Sequence, residues 1–274
     1  MRAVLRAIAS HQRQWAEAFA TGLRRHGWRA DIRTEAEPCD LLVMWGTRQR
    51  EAIESQKRYG EVCILERGYI GDRFEWTSVS FGGKLNGRAE FRGAIATPER
   101  FERHFAELMR PWRHDDGYAL LIGQVEGDMS LAVVGGRLDA WYRETSEALR
   151  RKGYEVRFRT HPGTIKRGSP IVVPPEAKMI VGTLAEAFAG AGLVVTFNSN
   201  TGVESVLAGA PTIATDIGSM AWRMTSHDVE GHLIRPDRAG WAHALAWKQW
   251  RLDEMASGYC WDVVGRRSDA RRTA

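Results

Sequence analysis

The chain lacks any apolar run approaching the roughly 20 residues that a membrane-spanning helix needs, and its 274 residues include only three cysteines. Cys39, Cys63 and Cys260 are widely spaced, which fits neither a disulfide framework nor the paired spacing of a zinc site. The opening stretch "MRAVLRAIASHQ" has too short an apolar core for a secretory leader and reads as a first buried strand. These deficits predict a protein without a transmembrane segment in a reducing, cytoplasmic setting, and none of them fixes an oligomeric state.

What is present describes a folded chain. A hydrophobic content of 43% and a charged content of 27% are those of a globular protein. The length suits one large domain or two of ordinary size. The net charge is +5, with a pI near 9.3. Arginine clusters at Arg24-Arg25, at Arg48 and Arg50, at Arg150-Arg151-Lys152 and in the final "GRRSDARRTA". Such an excess suits a polyanion or an acidic membrane surface, and any one cluster is equally consistent with an ordinary solvated helix face. Of the eleven tryptophans, Trp15, Trp28, Trp45, Trp141 and Trp247 fall in periodic segments and read mostly as packing.

Strand and helix patterns alternate through the first half. Strands are expected at 3–9, 28–33, 41–45 and 62–65, and helices at 12–26 and 50–59. A parallel sheet with helices on its faces follows from that order. Next comes "ERGYIGDRFEWTSVSFGGKLNGRAEF", glycine-rich, aromatic and without a clean period, which reads as a functional loop. The polar segment 110–117 reads as a linker, after which the pattern restarts. Strands are expected at 118–125, 155–160, 193–197 and 211–214, helices at 137–152, 183–189 and 202–208, and a closing amphipathic helix at 241–255 ended by Gly258. The organisation predicted is α/β, with an N-terminal domain over 1–110, a second domain over 118–240, a closing helical segment over 241–264 and a basic tail over 265–274. Two doubly wound units facing one another put their strand carboxyl ends, where such sheets bind ligands, around a cleft.

Those strand ends name the candidates. Glu66 and Asp128 are carboxylates from different halves, Gln124 precedes Asp128, and His161 is followed by a proline. "VVTFNSNTGVES" runs from an apolar strand through Asn198, Ser199, Asn200, Thr201 and Gly202 into a helix carrying Glu204. Small polar residues there let a backbone approach an anion, and the N–H groups opening the next helix point at it. A carboxylate opposite a phosphate site suits group transfer from a nucleotide-activated donor, one acid acting as base or nucleophile while helix-end dipoles hold the departing phosphate. Each candidate also has a plain structural reading. Glu66 pairs with Arg67 or Arg73, Asp128 caps the turn before Met129, His161 belongs to a rigid turn, Glu204 favours its helix N-terminus, and the 198–202 loop is an N-capped turn. His227, Asp228 and His232 fit no standard zinc spacing, and the chain contains no Asp-x-Asp, so neither a metal nor a cofactor is expected.

Four segments in consistent order resemble one family. "LLIGQVEGDMS" resembles the Gln-x-x-x-Asp signature of the capsule-polysaccharide glycosyltransferases, which include the retaining β-Kdo transferases; "RTHP" resembles their His-Pro motif. "TFNSNTGVESVLAGAPTIATDIGSMAW" resembles their donor loop, and "ILERGYIGDRF" their Glu-x-Gly-(Phe/Tyr) segment. The matches run from about Cys63 to Trp222, more than half of the chain. The resemblance implies a GT-B architecture of two Rossmann-like domains around a donor cleft, a nucleotide sugar as donor, and usually no metal. It gives Asp128 the place of the essential aspartate and Glu66 that of the N-domain carboxylate, with His161, Ser199, Thr201 and Glu204 holding the donor nucleotide.

The chain departs from the family at "SVSFGGKLNGRAEF", where the capsule enzymes carry a further aspartate, and the acceptor is therefore open. DNA bearing a hydroxymethylated pyrimidine, as in bacteriophage base modification, is favoured slightly over a capsule or lipid-linked glycan. The basic charge and aromatic loop motivate it: the basic side chains Arg73, Lys84 and Arg88 would meet phosphates while Phe74, Trp76 or Phe81 supports an extruded base. A catalytically inactive nucleotide-binding module is the remaining alternative.

Overall fold

A computed structural model describes residues 1–93, 96–114 and 116–265. The chain divides into two compact units, Met1–Phe105 with the segment from Ala239 onward, and Ala106–Arg238. The first unit opens with β1 (Arg2–Arg6), α1 (Ser10–Arg25), β2 (Arg29–Arg33), β3 (Leu41–Trp45), α2 (Arg50–Gln56), β4 (Glu61–Arg67), β5 (Thr77–Phe81) and α3 (Glu99–Phe105). Leu5, Leu41, Val43 and Leu65 face one core while Val4, Leu42, Met44 and Ile64 face another. Burial on both faces is why these strands read as continuous apolar runs. Helix α1 lays Trp15, Phe19 and Leu23, spaced four apart, on the first of those cores.

Strand β5 lies inside the segment expected to be a loop. It pairs antiparallel with β4, Glu66 opposite Ser78 and Cys63 opposite Phe81, and all five of its residues are buried. Its polar members hid it. Thr77, Ser78 and Ser80 break any apolar signature, although the Ser78 and Ser80 hydroxyls donate to the carbonyls of Glu66 and Ile64 at 3.4 and 3.5 Å.

The second unit contains β6 (Tyr118–Ile122), α4 (Leu138–Arg151), β7 (Val156–Arg159), α5 (Pro162–Lys166), β8 (Lys178–Met179), α6 (Leu184–Ala189), β9 (Ala191–Thr196), α7 (Thr201–Leu207) and β10 (Thr212–Ala214). Its five strands lie in the order β10-β9-β6-β7-β8, all parallel. Successive strands thus grow outward on one side from β6 to β8 and on the other from β9 to β10. The direction of winding reverses between β6 and β9, and in such sheets ligands bind beyond the carboxyl ends of the strands at that point.

From Ala239 the chain forms α8 (Ala239–Ala246), β11 (Gln249–Trp250), α9 (Leu252–Ser257) and α10 (Tyr259–Val264). The expected continuous closing helix is therefore three short helices interrupted by a strand. Trp250 is in the core of the first unit and Gln249 is fully buried. Arg100 draws the carbonyls of Ala246 and Gln249 to its guanidinium at 2.9 and 2.8 Å, groups that a continuous helix would have kept for itself. Strand β11 pairs antiparallel with β5, giving the first unit the order β11-β5-β4-β3-β1-β2. The four strands β1 to β4 are parallel, with the reversal between β1 and β3. Of the basic tail, residues 266–274 lie outside the described residues. Among the described residues no helix is long and apolar enough to cross a membrane.

Candidate active site

In the second unit the residues beyond β6 and β9 meet at the reversal point. Gln124 follows β6, and its side chain is tied to the loop after β9. Its Nε2 donates to Asn198 Oδ1 at 2.9 Å, and its Oε1 accepts from the Asn198 amide at 3.0 Å and from Thr196 Oγ1 at 3.4 Å. The backbone N–H of Gln124 donates to the Tyr142 hydroxyl at 2.7 Å, a phenol whose pKa burial pushes up to about 12. Asn198 is 3% exposed. Its Nδ2 donates to Asp216 Oδ2 at 2.8 Å and to the Ser130 carbonyl at 2.9 Å. Expected as donor contacts, Gln124 and Asn198 have their amides engaged with each other, so they fix the loops. A buried amide with all its partners in place makes such a junction rigid.

Asp128 stands exposed at the head of the turn that Asn198 holds. It N-caps the short 3-10 segment Met129–Val134, its Oδ1 accepting from the Ser130 amide at 2.8 Å. Asp128 is thus a cap, as its plain structural reading has it, and capping leaves the carboxylate exposed to solvent. His161 N-caps α5, with Nδ1 accepting from the Gly163 amide at 2.9 Å. The turns after β6 and β7 touch at Gly123, where a Cβ would lie 2.9 Å from the Phe158 ring and 3.1 Å from the Arg159 carbonyl. Only glycine allows this approach.

The loop from Ser199 to Glu204 closes on itself before α7. The Ser199 amide donates to Thr196 Oγ1 at 2.9 Å, Ser199 Oγ donates to Thr201 Oγ1 at 3.3 Å, and the Thr201 amide donates to Ser199 Oγ at 3.2 Å. Ser199, Asn200, Thr201 and Glu204 are half-buried and Gly202 is buried. Asp216, beyond β10, was missing from the candidates although the same strand-end rule reaches it. It is buried and accepts from the Gly218 amide at 3.0 Å as well as from Asn198. One amide–carboxylate junction therefore joins the loops after β6, β9 and β10.

In the first unit the reversal point is marked by His11, after β1, and Trp45, at the end of β3. Their rings meet edge to face at 5.4 Å. Glu66 is the penultimate residue of the next strand. Its Oε1 lies 2.8 Å from where a Cβ on Gly46 would be, and Gly46 has φ +67, so the backbone favours glycine there and a side chain would displace the Glu66 carboxylate. Glu66 Oε2 accepts from the Arg67 amide at 3.3 Å. The Arg67 guanidinium lies over Phe74 at 4.4 Å and Trp45 at 5.5 Å. Burial lowers the pKa of Arg67 and the charge of Glu66 opposes that shift.

The residues expected to meet an acceptor differ in exposure. Phe81 is 0% exposed and Trp76 3%. Trp76 packs against His104 and Phe105 at 5.2 and 5.0 Å, and the Phe81 ring is covered by Arg92 at 3.8 Å. Neither ring can stack on a base, because both are part of the core that β5 builds. Arg73 Nε donates to the Gly68 carbonyl at 2.9 Å. Lys84 is exposed, and Arg88, in the 3-10 turn Asn86–Arg88, is half-buried. Phe74, 71% exposed, is the aromatic of this stretch that reaches solvent. Elsewhere, His227 is stacked on Trp222 with ring centroids 3.4 Å apart.

No protein-family model matches the chain, and no curated protein does. Solved structures do. A KpsC β-Kdo 2,4-transferase of Thermosulfurimonas dismutans is 17% identical, with 91% of each chain covered and a TM-score of 0.64. A KpsC β-Kdo 2,7-transferase of the same organism is 16% identical, with 92% of each chain covered and a TM-score of 0.60. The chain has the GT-B glycosyltransferase fold of two parallel-sheet α/β domains.

Proposed function

We propose that the protein is a glycosyltransferase that takes a sugar from a nucleotide-activated donor bound by its second unit and passes it to an acceptor hydroxyl. The observation that carries this reading is the convergence of the Asp128 loop and the Ser199–Glu204 loop at the reversal point of the second sheet, joined through Gln124 and Asn198. The donor phosphate is taken at the head of α7, where the Ser199 and Thr201 hydroxyls, bonded to each other without it, turn towards it and the helix dipole favours its charge. His161 adds a hydrogen bond and Glu204 takes the ribose hydroxyls. Asp128 is the base or the nucleophile of the transfer. As base it accepts the hydroxyl proton while the acceptor oxygen bonds to the anomeric carbon and the bond to the phosphate breaks. As nucleophile it first forms a glycosyl ester, which the acceptor then displaces. The nucleotide leaves with the bonding electrons in either case. Glu66 serves the acceptor side from the first unit.

A glycan hydroxyl is the acceptor that the observations favour. The two similar structures are Kdo transferases, and burial of Trp76 and Phe81 removes two of the rings that an extruded base would need. Hydroxymethylated DNA stays as a second reading on one observation, the exposed Phe74 ring beneath the Arg67 guanidinium, a pair suited to stacking and phosphate contact. Incubation with a panel of nucleotide sugars, activated Kdo included, against glycan acceptors and hydroxymethylated duplexes, read by mass, tests both. Sugar on the glycan supports the favoured acceptor and sugar on the nucleoside supports the second. Transfer to neither overturns the glycosyltransferase reading. Duplex binding with no salt dependence removes the DNA reading by itself, because phosphate contacts weaken steeply with salt.

A further inference from the structure

We propose that Gln249, far away in the sequence and outside every motif that points to the site, is a positioning residue for Glu66; this rests on the function proposed above. Across the first sheet Gln249 stands opposite Ser78, and Ser78 stands opposite Glu66. The Gln249 side chain, fully buried, reaches the turn after β4, three and four residues beyond Glu66. Its Oε1 accepts from the Tyr69 amide at 2.7 Å and from the Ile70 amide at 3.1 Å, while its Nε2 donates to the Ile70 carbonyl at 2.9 Å. Three buried backbone groups of one turn thus find their partner in a single side chain 180 and 179 residues away.

The clamp is close and is itself held. A Cβ on Gly68 would lie 3.1 Å from Gln249 Oε1 and 2.6 Å from Trp76 Cβ, so the turn sits directly against β11 and its neighbour. Arg100 holds Gln249 by its carbonyl at 2.8 Å, forms a buried ion pair with Glu254, and lies among Trp76, Trp247 and Trp250 at 5.2, 5.1 and 4.7 Å. On its other side Glu66 lies beside Gly46, where an added Cβ would come within 2.8 Å of Oε1. The carboxylate is therefore bounded by Gly46 and tethered to a turn in which Trp76 and Arg73 hold Gly68 while Gln249 takes the Tyr69 and Ile70 amides and the Ile70 carbonyl. A packed boundary of this kind sets the position of a reacting group to within the fraction of an ångström that catalysis needs.

Gln249→Met keeps the length of the side chain and removes both functions of the amide. The expected result is a fall in kcat of tenfold or more with donor KM within twofold of wild type. Amide exchange at Tyr69 and Ile70 should accelerate at least tenfold, with protection in β6 and β9 unchanged. A merely structural residue would loosen the turn without moving kcat. In a Glu66→Gln background Gln249→Met should cost little more, because residues acting through one another are not additive. Wild-type kcat in Gln249→Met, additive losses in the double variant, or a Glu66→Gln variant with full activity each overturn the inference and leave the proposed function standing. A wild-type chain without transferase activity overturns that function, and this inference with it. Should Gln249→Met fail to fold, Gln249→Glu, which keeps an acceptor for both N–H groups and loses the donor to Ile70, carries the same kcat and exchange measurements with the same overturning outcomes.

Discussion

The loop that bears Asp128 and the turn after the strand that bears Glu66 are built on the same device and wired differently. Each follows a central parallel strand, and each is fastened by a buried side-chain amide that saturates backbone groups. In the second unit the amides are Gln124 and Asn198, themselves members of the motifs at the site. In the first unit the amide is Gln249, which arrives on a strand from the far end of the chain. The second unit can therefore set its loop geometry from its own residues, whereas the first depends on a segment that returns after the whole second unit has been made. A motif near a site can thus serve the site indirectly. Asn198 looks like a ligand in the sequence, and in the fold it is a fastener.

The largest effect that would sharpen this contrast is chemical. Asp128→Asn keeps a side chain that caps the 129–134 turn as well as aspartate does but can act neither as base nor as nucleophile. Transfer should fall by a hundredfold or more while thermal unfolding stays within a degree or two of wild type. Activity within tenfold of wild type in a steady-state assay would break the assignment. Next come the donor contacts. His161→Ala and Glu204→Ala should each raise the donor Kd by ten- to a hundredfold, about 1.5–3 kcal/mol for a hydrogen bond to a charged group, as read by calorimetric titration. Unchanged affinity in both would return that loop to an ordinary capped turn.

A smaller effect separates fastener from ligand. Asn198→Ala strips a partner from the buried Asp216 carboxylate and from Gln124, so urea unfolding should show a loss of about 1–3 kcal/mol. A variant of wild-type stability with weakened donor binding would reverse the assignment of Asn198. The smallest effect concerns the first unit. Burial, with Arg100 adding to it, holds the His104 pKa below 6.5. The unfolded chain then holds more protons between the depressed folded value and 6.5, so stability rises with pH through that window and is complete above it. In His104→Gln the slope of unfolding free energy against pH across that window should be shallower, and an unchanged slope would exclude His104 as its source.

Much of this arrangement could be read from residue order, and the rest could not for physical reasons. Apolar runs such as Leu41–Trp45 and Ala191–Thr196 announce strands buried on both faces, and strand ends then name Glu66, Asp128, His161 and the 198–204 loop. Strand β5 stayed hidden because Thr77, Ser78 and Ser80 are buried with polar side chains, a state that composition does not reveal. The segment from Ala239 carries a helical period, yet Arg100 and Glu254 divert it into β11 and short helices, a tertiary effect with no local signature. Trp76 and Phe81 looked available because aromatic residues in a glycine-rich stretch suggest a surface, whereas here they line a core. Asp216 was within reach of the strand-end rule. Gln249 was not, since its partners are known only once the first sheet is assembled.

The central claim is that the nucleotide belongs to the second unit while the Gln249-held turn plays no part in binding it. Backbone amide exchange with and without a saturating nucleotide, chosen from a panel by calorimetry, tests this most directly. The expected footprint is added protection at 123–128, 161–163 and 199–204, with Tyr69 and Ile70 unchanged. Protection centred on 66–70, or binding by no nucleotide of the panel, would contradict the account.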